Sequence, residues 1–153
     1  MSDAGNRLYQ LREKSGLQPE QLARESEIPI LNYYHLESTS GDALCSATSL
    51  KELLALGNAL KLDPIEFFFD AHEIVHENIS FGKLQNLLQL FIDKNDLSIE
   101  QFEKTVGWEV TDFLNSSDAA WNWTVDCLRD ICEKIHLDWK LVLPKLNRIQ
   151  GDH

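Results

Sequence analysis

Glycine and proline are scarce, seven and four in 153 residues, and the glycines are not clustered, which excludes a glycine-rich phosphate loop. Cys45, Cys127 and Cys132 are an odd number without metal-ligand spacing, so they read as buried or idle thiols in a reducing compartment rather than a disulfide framework. Cations are outnumbered, 14 Lys and Arg against 25 Asp and Glu, for a net charge of −11. The deficit runs through both halves, with 6 basic and 11 acidic side chains in residues 1–70 and 8 and 14 in residues 71–153. Binding a polyanion by charge needs clustered Lys and Arg, and neither half is an obvious polyanion binder. No apolar run approaches the roughly 20 residues that span a bilayer, and the opening MSDAGNRLYQ lacks an apolar signal core. These absences predict a soluble cytoplasmic protein without membrane contact, and nothing calls for a cofactor.

Long alternating strand patterns are missing too, while apolar residues recur at helical spacing almost everywhere, which predicts an all-α chain. The pattern is also written twice. The segment GLQPEQLARESEIPILNYYHLE, Gly16 to Glu37, returns in weakened form as DLSIEQFEKTVGWEVTDFLN, Asp96 to Asn115, with Leu17, Gln21, Leu22, Ile28 and Tyr33 each 80 positions before Leu97, Gln101, Phe102, Trp108 and Phe113. Further on, Leu62–Phe68 resembles Leu137–Leu143 at a spacing of 75, so the middle loop of the second copy is shorter. The domains predicted are 1–70 and 83–153 with a linker at 71–82. Periodicity and punctuation place helices near Arg7–Lys14, Pro19–Glu25, Ile30–Glu37, Ser49–Leu60 and Pro64–Asp70 in the first copy. In the second they fall near Lys83–Lys94, Ile99–Val106, Glu109–Leu114, Thr124–Ile135 and Asp138–Leu143. Pro19, Pro29 and Pro64 suit first-turn positions, where the missing amide costs nothing. Ser98 and Gln101 have the spacing of a capping box.

A strand-free unit of five short helices, in which L-x-x-L-R-x-x-x-G-L leads into E-Q-L-A and then I-x-x-x-x-Y-x-x-L-E, resembles the Cro and lambda-repressor-like (XRE) helix-turn-helix family. The resemblance covers about Leu8–Phe68, with Leu88–Leu143 as a degenerate echo. It implies two tandem five-helix units packed together. Leu22, Ala23, Ile28, Tyr33 and Leu36 fall where two short helices pack at a steep angle. Family members usually place glycine in the turn between helices two and three; the second copy keeps Gly107, but the first has Glu27, which is strained if that turn is left-handed.

In DNA-binding members the start of helix two and the exposed face of helix three meet the major groove. Carried over, that face is Pro19, Ile30, Leu31, His35 and Ser38, an apolar set where direct readout asks for Arg, Lys, Asn or Gln. The candidates for DNA contact are therefore Gln18, Asn32, Tyr34, His35 and Ser38, with Arg12 and Arg24 as phosphate grips. Pro19, Ile30 and Leu31 are the candidates for a protein contact, either with a partner or with the second copy. In that second copy the matching face is Ile99, Val110, Thr111 and Asn115, flanked by Glu109 and Asp112, which repel phosphates.

The linker holds HEIVH, His72–His76, the two-histidine string of zinc peptidases. It is five residues long, with no third ligand and with Asn78, Ser80 and Gly82 close behind, so His72 and His76 are at most weak metal candidates and no catalytic set stands out. Trp108, Trp121, Trp123 and Trp139 all fall in the second copy, as core fillers or, for Trp121 and Trp123, a partner contact. Two functions follow from the sequence. One is a transcription regulator whose first copy binds DNA, alone or as a homodimer. The other is an antitoxin-, immunity- or co-regulator-like module that binds a protein partner and not DNA.

Overall fold

Helix-favouring sequence between strong stop signals yields a chain in which every regular element of the described residues is helical. The computed structural model describes residues 4–38, 45–68 and 78–145. In chain order they form α1 (Ala4–Ser15), α2 (Pro19–Glu25), α3 (Ile30–Ser38), α4 (Leu50–Leu60) and a 3-10 turn, Pro64–Phe67. Then come α5 (Phe81–Lys94), α6 (Ile99–Val106), α7 (Thr111–Asn115), a 3-10 turn at Ser117–Asn122, α8 (Val125–Lys134) and a last 3-10 turn, Trp139–Leu141. None of these helices is long and apolar enough to cross a membrane.

Side-chain caps set the starts. The hydroxyl of Ser98 accepts the Gln101 amide at 3.0 Å while the Gln101 side chain accepts the Ser98 amide at 2.8 Å, the box that the sequence spacing predicts. Ser49 and Glu52 build a second box at α4, with bonds of 3.1 and 3.0 Å. Several boundaries differ from the sequence expectation. Pro29 stands one residue before α3, its carbonyl accepting the Tyr33 amide. α5 begins at Phe81, inside the predicted linker, because Ser80 caps it. The helices expected at Pro64–Asp70 and Asp138–Leu143 contract to single 3-10 turns, and the turn at Ser117–Asn122 was not signalled by periodicity. Residues 69–77, with His72 and His76, lie outside the described residues.

Backbone geometry carries the repeat further than side chains do. Among the described residues those with positive φ are Gly16 (75°), Glu27 (58°), Lys61 (60°), Asp96 (57°), Gly107 (85°) and His136 (63°). Gly16 pairs with Asp96 and Glu27 with Gly107 at the spacing of 80, and Lys61 with His136 at 75. Each left-handed turn thus recurs at its equivalent position whatever residue occupies it. A left-handed non-glycine residue costs about 1 kcal/mol or more, against roughly 0.5–1 kcal/mol for the extra freedom of an unfolded glycine. Nothing lies within 4 Å of a Cβ built on Gly107, so strain there is purely backbone. Glu27→Gly is therefore expected to stabilise the protein by about 0.5 kcal/mol and Gly107→Ala to destabilise it by about 1 kcal/mol, both read as urea midpoints at unchanged slope.

A single apolar cluster runs through both copies, from Leu8, Leu22, Tyr33, Leu53 and Phe67 to Leu88, Phe102, Phe113, Leu128 and Leu143. Where the copies meet, Ser49 and Thr124, the caps of α4 and α8, form an isolated antiparallel bridge, and the Leu50 amide donates to the Trp123 carbonyl at 2.7 Å. Ser49 and Thr124 are 75 apart, so this contact joins matching positions of the repeated sequence. The tryptophans serve packing: Trp121 meets Phe81 edge-on at 4.9 Å, Trp123 leans on Phe113 at 4.6 Å, and Trp139 meets Phe68 at 6.3 Å. Cys127 and Cys132 are buried, and burial pushes both thiols up to about 12, which disfavours the thiolate form.

Candidate functional site: the exposed face of α2 and α3

The two short helices α2 and α3 cross at a left-handed turn, Ser26–Glu27, with Leu22 and Ala23 buried beneath them. Ser26 is 2% exposed and its hydroxyl has no hydrogen-bond partner, where the second copy has Val106. What the pair presents outward is fixed by α3. Leu31 is 78% exposed, the most open of the large apolar side chains among the described residues, and Tyr34, three residues on, is 42% exposed. The Tyr34 hydroxyl donates to the Glu20 carboxylate of α2 at 2.6 Å. That bond holds Glu20 below the usual carboxylate range and Tyr34 above the usual phenol range, so near neutral pH the face carries a fixed negative charge beside an apolar knob.

The sequence-derived candidates divide. Gln18 is exposed at the N-cap of α2 and its side chain makes no capping bond. Asn32 and His35 are exposed and border a small cavity of about 260 Å³ that Glu52 and Thr48 also line. Arg24 is exposed in the last turn of α2. Ser38 closes α3, and only its backbone is described. Of the apolar candidates, Pro19 is half-buried and Ile30 packs against the core, which leaves Leu31 alone pointing outward.

Arg12 is a correction. Expected as a phosphate grip, it is 5% exposed, with its Nε donating to the Glu37 carboxylate at 2.5 Å and its Nη1 to the Leu17 carbonyl at 2.8 Å. The Tyr33 hydroxyl donates to the same carboxylate. The hydrogen bond to Glu37 raises the guanidinium further above its ordinary value, and burial, then the bond to Glu37, raises Tyr33. Arg12 thus ties α1 to α3 from inside. One signal in the sequence pointed this way: 80 positions on stands Ile92, on the core stripe of α5.

The second copy arranges the same turn differently. α7 starts at Thr111 rather than Glu109, because a carboxylate from the neighbouring helix caps it. Glu103 of α6 accepts the amides of Val110 at 2.7 Å and Thr111 at 3.1 Å, and the Thr111 hydroxyl at 2.9 Å. These bonds, the one from Val110 first, hold Glu103 below its ordinary 4.5. A carboxylate depressed by folding adds stability in full above its unfolded pKa and loses it as pH falls through the folded value. Glu103→Ala is expected to cost about 1 kcal/mol at pH 7, as for a lost N-cap, with the gap from the parent closing below about pH 4.5. Urea melts at pH 7 and pH 3 check it. Val110 is buried and Ile99 half-buried, so the second face exposes Thr111, Asn115 and the acids Glu109 and Asp112.

Among the described residues no group of His, Cys, Asp or Glu is placed to hold a metal. No protein-family model matches the chain, and no significant match is found among curated proteins or solved structures.

Proposed function

We propose that this chain is a regulatory protein of tandem Cro/lambda-repressor-like helix-turn-helix architecture that acts as an acidic protein-interaction module, meeting a basic protein partner through the α2–α3 face of its first unit. The observation that carries this reading is the composition of that face, an exposed Leu31 next to a Tyr34 bound to an ionised Glu20. A duplex would meet that carboxylate with its own phosphates, and Leu31 offers no hydrogen bond to a base edge. A basic protein surface gains from both features, apolar contact at the centre and charge attraction at the rim and at long range from the net −11. The withdrawal of Arg12 into the core removes one of the cations that the DNA reading needs.

The second reading, a DNA-binding transcription regulator, is favoured by the exposed amides of Gln18 and Asn32 with Arg24 on the same helix pair. Anisotropy titrations against labelled duplexes, including the DNA around the chain's own gene, at low and near-physiological salt separate the two. Under the protein reading, binding is no tighter than the non-specific range, about 10 µM, at physiological salt. A stoichiometric basic protein is recovered from host lysate by the parent, and Leu31→Asp weakens its binding about 30-fold or more, as for a hot-spot residue. Tight duplex binding that survives competitor DNA establishes the regulator reading and overturns this one.

A further inference from the structure

The α2–α3 turn has an internal control, the α6–α7 turn 80 positions on. Both go left-handed at the same place, Glu27 at 58° and Gly107 at 85°. Around that shared backbone three residues of the first unit weaken the turn. Ser26, 2% exposed, buries a hydroxyl that finds no hydrogen-bond partner among the described residues, where the second unit has Val106. Glu27 holds its left-handed φ with a side chain attached, which glycine at 107 avoids. Ala23 stands where Glu103 reaches across to the Val110 and Thr111 amides, so the first unit lacks that carboxylate tie.

Two features act the other way. The Ile28 amide donates to the Ala23 carbonyl at 2.9 Å, and Pro29 stiffens the chain just beyond. Neither gives the Ser26 hydroxyl a partner, and its penalty falls on the closed turn alone, because water satisfies it once the turn opens. What holds the two helices apart from packing is slight. The bond from Tyr34 to Glu20 is exposed, so water replaces it at little cost. α2 is seven residues long, too short to persist as a helix away from its neighbours. α3, by contrast, is anchored to α1 by the bond from Arg12 to Glu37. The movable piece is therefore α2.

We propose that this turn is a built-in opening device: α2 unlatches from α3 at Ser26–Glu27 while the rest of the chain stays folded, taking apart the face where Leu31, Tyr34 and Glu20 meet. A partner of the closed face binds only the closed fraction, so the turn sets its apparent affinity. The device belongs to the fold and stands whether that face meets protein or DNA. Amide hydrogen exchange of the full chain, followed by NMR at rising sub-denaturing urea, tests it. After correction for intrinsic rates, the Leu22 and Ile28 amides are expected to exchange roughly tenfold or more faster than those of Leu53 and Leu128, with little dependence on urea. Ser26→Val and Ser26→Thr have the same shape and differ in the buried hydroxyl. Exchange at Leu22 and Ile28 should be about tenfold slower in the valine variant than in the threonine one. Glu27→Gly, which leaves the core untouched, should slow the same amides about twofold against the parent. Leu22 and Ile28 as protected as Leu53 and Leu128, or as steeply dependent on urea, overturns the proposal. So does equal exchange in the valine and threonine variants.

Discussion

Arg12→Ala is expected to lower the free energy of unfolding by about 3–5 kcal/mol, the range for removing one partner of a buried ion pair. The guanidinium side chain is 6% exposed and the Glu37 side chain 10%, so water cannot replace the lost partner. Its removal strands a carboxylate bonded only by Tyr33, frees the Leu17 carbonyl, and ends the stacking of the guanidinium on Tyr9, 5.3 Å from the ring centre. The second unit predicts how that loss is avoided. Its equivalents of Arg12, Tyr33 and Glu37 are Ile92, Phe113 and Ser117, so two buried apolar side chains and a half-buried serine stand where the first unit has its polar network. The triple variant Arg12→Ile, Tyr33→Phe, Glu37→Ser should therefore fall within about 1–2 kcal/mol of the parent, since removing both members of a buried ion pair together leaves no stranded charge. Urea midpoints at constant slope decide both points. A single Arg12→Ala variant within 1 kcal/mol of the parent would show that Glu37 finds water, and that the network is looser than its geometry.

Much of the fold was legible because its punctuation is local. Pro19 opens α2, the Ser98 and Gln101 box opens α6, and periodicity marks the cores of the longer helices. The spacings of 80 and 75, read from a handful of matches, also pair the six left-handed residues found among the described residues, although two of those six are glycine. What was not legible depended on contacts between elements. Arg12 reads as a surface cation from its own helix and becomes a core residue only through Glu37, 25 positions away. The sequence pattern starts α7 two residues early because its cap, Glu103, comes from the helix before the turn, where no local motif records it; the first unit has Ala23 at that position. On the α2–α3 face, residue type identified Leu31, but the pairing of Tyr34 with Glu20 turned a candidate phosphate donor into part of an anionic surface. That pairing spans two helices and shows only when they cross.

Gly57→Ala sets two effects against each other, and the close contact is expected to win. In the interior of an exposed helix this change stabilises by about 1 kcal/mol through propensity. Gly57 instead lies buried in α4, and a Cβ built there stands 2.4 Å from the Leu62 carbonyl oxygen and 3.5 Å from Pro64 Cδ. The oxygen cannot simply swing away. Leu62 is pinned by its own amide, which donates to the Gly57 carbonyl at 2.8 Å, by the left-handed Lys61 before it, and by the bond from the Asp63 amide to Glu66 at 3.1 Å after it. α8 makes the same closing bond, Leu137 amide to Cys132 carbonyl at 2.8 Å, from a residue that carries a buried side chain. The bond itself therefore does not demand glycine, and the constraint is the position of the Leu62 oxygen. Forcing a turn to shift in a packed core costs about 1–3 kcal/mol, sometimes more, and at the upper end of that range outweighs the propensity gain. The net expectation is a loss of about 2 kcal/mol, or roughly 4–8 °C in Tm for a chain of this size. Cysteine, the residue of the matching position, should cost at least as much at 57, because its sulfur adds volume to a site already short of room. A Gly57→Ala variant more stable than the parent would mean that the Leu62 turn relaxes freely, and that the close approach of helix and turn is not what selects glycine there.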